Sequence, residues 1–249
     1  TNVSVAVRLG AAIGVSLLDV YMTSSVSASV DQTHIQATSL QVLANSTANI
    51  GENQTTGVSA ALGAAAGSHA KSYIQTTVSA VIDRSRVTAT GAVKVSATAN
   101  NTARASADGG ALGAIAVGAM VAEINLGKAD VEHEIEARVG NSTSITAGSL
   151  DITAEARDDL LATSIAAGGG ALAATGAQSD VNTDLGTLAK IGNGVQIKVG
   201  SLSITSDHQQ DVDSSADSYA LALASGSGAG AQNEVTTKAD VDIGTNSSV

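Results

Sequence analysis

The side chains with the type and spacing for chemistry are carboxylates and imidazoles. Asp158, Asp159, Asp207, Asp211, Asp213 and Asp217 fall into two groups about 52 residues apart. If the chain stacks on itself at that interval, Asp158 or Asp159 comes beside Asp211 or Asp213. Calcium takes six to eight oxygens from such clusters. Asp158, Asp159, Asp211, Asp213 and Asp217 are therefore the candidate metal ligands, with solvated acidic loops as the competing account. His34, His69, His133 and His208 stand at different phases of the interval. That argues against a shared metal and leaves surface or turn positions as their default. His133-Glu134 lacks the second His that a zincin needs, and Gly168 to Ala173 matches a loose dinucleotide pattern without its βαβ setting. No Walker sequence or G-x-S-x-G elbow is present. No catalytic or cofactor-binding residue is assigned.

The same interval runs through the rest of the chain. The pattern x-x-Ala-x-(Val/Ile)-(Asp/Gly) occurs at Val26 to Asp31, Val78 to Asp83, Ile135 to Gly140 and Thr187 to Gly192, with a variant at Ala239 to Gly244. Its last residues lie about 52, 57, 52 and 52 apart. A second marker keeps the same register: Leu40-Gln41-Val42, Val93-Lys94-Val95, Leu150-Asp151-Ile152 and Leu202-Ser203-Ile204. A period of this size signals a solenoid, propeller or array. The repeats fall at about 1–50, 51–105, 106–160, 161–212 and 213–249. Between corner units lie Gly/Ala-rich joining segments, such as Gly57 to Tyr73, placed as strands by their Val-rich counterpart at residues 3–9. Asn45 to Gln54 and Asp207 to Asp217 have the polarity of turns and loops. An interval of this length suits two turns of about 20–30 residues each, giving a rod of about 45–50 Å. One broad, flattened turn per interval would halve that length.

Composition narrows the function classes. The 249 residues include no Pro, Cys, Trp or Phe and only three Tyr. Enzyme pockets and sugar platforms are built largely from aromatics, so a polysaccharide-acting enzyme is disfavoured. Val, Ile and Thr suit a pleated surface, while Gly and Ala allow close approach of layers. Residues 1–105 carry six basic and four acidic side chains, and residues 106–249 six and nineteen. A net charge of −11 disfavours nucleic acid. Gly109 to Gly127 is the most apolar run, but Glu123 interrupts it short of the roughly 20 residues of a membrane helix. Asn-x-Ser/Thr occurs at Asn2, Asn45, Asn53, Asn100, Asn141 and Asn246. In stacked turns, Asn supplies left-handed conformations and side-chain ladders. Thr-rich runs such as Thr143 to Thr146 keep no regular ice-binding array.

The stretch GVSAALGAAAGSHAKSYIQTTVSAVIDRSRVTATGAVKVSATA (57–99) carries a resemblance. It resembles the repeats of very large secreted bacterial exoproteins, the leukotoxin-like filamentous adhesins and hemagglutinin-type β-solenoid proteins. A Gly/Ala/Val run leads to a Thr-x-x-x-Val element and then to V-x-A-x-x-x-V-x-V-x-A. The resemblance spans essentially the whole chain. It implies a parallel β-helix, export to the bacterial cell surface and an adhesive or structural role, and it carries over no catalytic residues. The expectation is an all-β protein: a right-handed parallel β-solenoid rod, non-enzymatic and extracellular. Its partners would be flanking repeats of a longer chain or head-to-tail copies of itself, with lateral rod contacts and no nucleic acid or membrane span. A calcium-dependent surface-binding module is the alternative.

Overall fold

With β-branched residues and alternating polarity along most of its length, and no proline to interrupt a ladder, the chain is suited to extended structure. The computed structural model describes residues 1–127 and 134–248. Among these residues every regular element is a strand: β1 (Asn2–Val7), β2 (Ala11–Asp31), β3 (His34–Ala37), β4 (Leu40–Ala60), β5 (Gly63–Asp83), β6 (Arg86–Ala89), β7 (Ala92–Gly127), β8 (Ile135–Val139), β9 (Ser144–Ile191) and β10 (Gln196–Ile243). Every pairing among them is parallel, within one ten-stranded sheet. Among the described residues no helix is long and apolar enough to cross a membrane.

Register decides the geometry. Ala11 pairs with Gly63, Gly63 with Ile115, Ile115 with Leu172 and Leu172 with Ala224. Neighbours in adjacent layers are therefore 52 or 53 residues apart, or 57 where the pairing spans the extra residues between Leu126 and Ile135; the bonded pairs Lys71–Glu123 and Asn101–Asp158 show the separations of 52 and 57. The chain makes one pass per interval, not two. At 4.8 Å per strand the five layers stand roughly 24 Å high, and each 21-residue face is about 70 Å wide. The molecule is a slab, broader than it is tall. The longer step falls between Leu126, the partner of Ile74, and Ile135, the partner of Val78. The extra residues are accommodated in that interval.

Within one pass the chain folds back on itself. β4 and β5 meet at Ala61-Leu62 and face each other: the Asn53 amide reaches the Lys71 carbonyl at 2.7 Å and Ser72 Oγ at 3.1 Å. Inward side chains alternate with outward ones along both faces. Next to the fold-back the interior holds Gly57, Ser59, Ala64 and Ala66; at the far end it holds Ile74, Val78, Ile82, Val93 and Val95. The cross-section is a wedge. At its thin end the two layers touch through backbone, so that a Cβ on Gly57 would run into the Gly67 carbonyl.

At the thick end each pass turns through a left-handed residue: Gln32, Arg84, Ser142, Gly194 and Asn246, at φ 50°, 44°, 54°, 65° and 57°. These follow the predicted corners, where β2, β5, β8, β9 and β10 end. Their N–H groups bond upward in series, Gln32 to the Asp83 carbonyl, Arg84 to Asn141, Ser142 to Asn193 and Gly194 to Thr245. Asn141 Oδ1 accepts the Asn193 N–H at 2.7 Å, and Asn193 Oδ1 accepts the Thr245 N–H at 2.8 Å. This is the side-chain ladder expected of asparagine at stacked turns. Asn45, Asn53 and Asn100 lie instead within strands, as do the acidic residues 207–217. The two stretches expected to be loops are strands because each is hydrogen-bonded in register to a neighbouring layer.

Candidate functional site

A run of inward-facing polar side chains that includes a buried carboxylate and an imidazole climbs through three layers. Asn101, Asp158 and Gln210 occupy the same register position on successive strands. Thr76 Oγ1 donates to Asn101 Oδ1 at 2.8 Å, and Asn101 Nδ2 donates to Asp158 Oδ1 at 2.8 Å. Asp158 Oδ2 lies 2.6 Å from His208 Nε2 and accepts Gln210 Nε2 at 3.0 Å. Thr183 Oγ1 donates to Gln210 Oε1 at 3.3 Å. The side chains of His208 and Asp158 are 2% and 0% exposed. Both oxygens of the carboxylate are thus satisfied, while His208 Nδ1 has no partner. A carboxylate holding an imidazole is the arrangement of an acid–base pair; here both side chains are turned into the space between the two faces of the slab.

The five candidate ligands separate. Asp158 turns inward to this chain of bonds. Asp159 turns outward, 3.9 Å from Arg104 Nη2, and pairs in register with Asp211 on the next strand. Asp213 and Asp217 are exposed on the same strand as Asp211, opposite Leu161 and Ile165. Among the described residues no three His, Cys, Asp or Glu are grouped to hold a metal ion. His208 is not on the surface, as its default placement has it; it belongs to the interior. His69 is partly exposed, 3.7 Å from Glu123. His133 lies outside the described residues. Glu134 is buried and its Oε2 accepts the Gly186 N–H at 2.8 Å.

On the outer face, Lys71 Nζ donates to Glu123 Oε1 at 2.9 Å across neighbouring strands. The bond to Glu123 raises the Lys71 pKa above its ordinary value, against the effect of burial. Burial pushes the Glu123 carboxyl up, but hydrogen bonds from Asn125 and Lys71, with the charges of Lys71 and His69, outweigh it and hold the group low. Beside this pair lie Tyr73, two residues along the strand from Lys71, and Tyr21 one layer below, with ring centroids 5.8 Å from each other.

Among the described residues, both ends of the stack are open. At one end β2, β3 and residues 40–54 of β4 have no strand beneath them, because β1 covers β4 from Thr55 to Ala60. At the other end most of β10 has no strand above it. Inward apolar side chains are left half covered at both: Val20, Met22, Val26 and Val30 below, Leu202, Ile204 and Val212 above. No protein-family model matches the chain, and no curated protein or solved structure matches it either.

Proposed function

We propose that the chain is a non-catalytic structural or adhesive β-solenoid segment, built of about five stacked passes and carried at the bacterial cell surface. Its ends meet further repeats or further copies, so that it grows into a filament. The observation that carries this reading is the pair of open ends: each presents a ladder of unpaired backbone with half-covered apolar side chains beside it. Unpaired edges recruit strands. A solenoid needs a cap or a continuation at each end. In-register continuation would set β1 and β2 of one copy over residues 216–221 and 224–243 of the next, following the register that links the five layers. A non-catalytic role also fits the enclosed Asp158–His208 pair. Localisation rests on the family resemblance of residues 57–99.

Electron microscopy of the purified chain across concentrations tests the proposal. Long fibres of uniform width are expected. Compact globules, or aggregates without a repeat, would overturn end-on growth. Thr237→Pro sharpens the test. Counting back from Gly244, whose N–H bonds down to Ile191, strand alternation turns the Thr237 N–H to the open side. Proline there costs no internal ladder bond but blocks the joint, so fibres should shorten to single stacks. A calcium-dependent module is the second reading, favoured by Asp159 and Asp211 lying in register. It requires that chelator lower the melting temperature, and an unchanged melting curve removes it.

A further inference from the structure

The outer surface at the thin end of the wedge is almost wholly apolar. From the register column of Val5 round the bend to the column of Val15, every outward side chain on all five layers is Gly, Ala, Val, Ile or Leu, apart from Tyr219. Arg8, at the foot of the bend, is the sole charge among the described residues there. Leu9 and Leu223 are each 95% exposed and Leu221 84%. Six columns about 6.6 Å apart on five strands about 4.8 Å apart make a band of roughly 800 Å². The largest apolar patch of an ordinary monomer is about 300–600 Å². One side of a standard protein interface is about 800 Å².

We infer that this band is the lateral contact between two copies of the chain, paired thin edge to thin edge about a two-fold axis. The inference locates the side-to-side association of the filament reading and rests on that reading. Three features select a second copy as the occupant. The first is the area: the band exceeds the apolar patch of an ordinary monomer, and its large exposed leucines lie in the columns at the bend itself, where an edge-to-edge contact would meet them. The second is relief. Leu112 and Leu221 project from the outer face beside Gly110, Ala167 and Gly169, whose small or absent side chains leave a groove between them. Ridges and groove on one patch allow the self-complementary packing that a two-fold interface requires. The third is what the band lacks. A membrane-seated surface is flanked by Trp and by Lys or Arg, and here there is no Trp, one Arg and a chain charge of −11. Packing one band on the other removes the large exposed leucines of both copies from water.

The experiment is sedimentation velocity on the Thr237→Pro chain, in which end-on growth is blocked, with and without Leu112→Asp and Leu172→Asp. Both leucines are half or more exposed, so the fold should keep its strand circular dichroism. Thr237→Pro alone should sediment as two copies, and the triple variant as one, with at least a tenfold rise in the concentration for half-association. A Thr237→Pro chain that stays single at every attainable concentration overturns the inference, as does an equal mass for both variants. Binding of the unassociated chain to neutral phosphatidylcholine vesicles would assign the band to lipid and overturn it too. If proline disturbs folding, the width of fibres carrying only the two aspartates serves instead and should halve. Two-copy particles without fibres in the unsubstituted chain would sink end-on growth and leave the lateral contact standing. Fibres one slab wide would do the reverse.

Discussion

At the scale of single residues, the largest energetic stake sits in Asp158. Removing its carboxylate strands three buried donors, on Asn101, His208 and Gln210. A buried polar group left without its partner costs about 1–3 kcal/mol, more where charge is involved. Asp158→Ala should therefore lower the urea unfolding free energy by about 3 kcal/mol, and Asp158→Asn by less. A loss under about 0.5 kcal/mol, the size of an ordinary surface substitution, would mean that the chain of bonds is not holding the layers. Glu123 gives a pH signature. Its folded pKa is depressed, so its contribution is complete above the unfolded value of about 4.3 and is lost as pH falls through the folded value. The Lys71 pKa is raised, so its contribution is complete below about 10.4 and is lost at higher pH. Glu123→Gln should flatten the acid limb of the stability profile below about pH 4, measured by thermal melts. An unchanged acid limb would remove the pair from the account. Asp158 is partly legible in the sequence. It shares the even phase of Leu150, Ile152, Ala156 and Leu160, and a strand period of two sends all of them inward. Treating the acidic stretches as solvated loops hides that phase, and with it the burial of His208.

At the scale of elements, the joining segments and the corners behave differently. The corner pattern is visible in sequence because the turn needs a left-handed residue, and Asp, Gly and Asn gather beside such positions. The Gly/Ala segments are legible as strands only by comparison with residues 3–9. Their purpose, close approach of the two layers, depends on which residues face each other across the fold-back, and no local pattern records that. Gly57 tests the point. A side chain there meets the Gly67 carbonyl, so Gly57→Val forces the layers apart at the thin end. Overpacking of this kind costs about 1–3 kcal/mol, and the melting temperature should fall accordingly. Ala65→Val, on the outward side of the same segment, is the control and should leave stability nearly unchanged. Equal effects at both positions would refute the wedge.

For the whole molecule, length per interval is where sequence reasoning goes furthest astray. It divides each interval in two because a single turn of that size looks too long, but flattening lets one pass run out along one face and back along the other. Charge also distributes less simply than the two halves suggest. The excess of basic residues in the first half comes from Lys71, Arg84, Arg86, Lys94 and Arg104, all beyond the first pass. Residues 1–52 hold one basic and three acidic side chains, and residues 196–249 two and seven. Both faces of an end-on joint are therefore acidic, and their repulsion is screened by salt. Fibre growth followed by light scattering should be faster at about 0.5 M than at about 0.05 M sodium chloride. Slower growth in salt would mean that ion pairs, not backbone edges, drive the joint.

The parallel register has a mechanical side. Hydrogen bonds between layers point along the stack, and residues 2–7 and 248 lie in its first and last layers. Tension applied between those ends loads the bonds one after another, not all together, so the slab gives way by peeling from an end. Each pass released measures about 170–190 Å when drawn out. A surface fibre made this way would lengthen under shear in small reversible increments, dissipating load while the remaining passes stay folded.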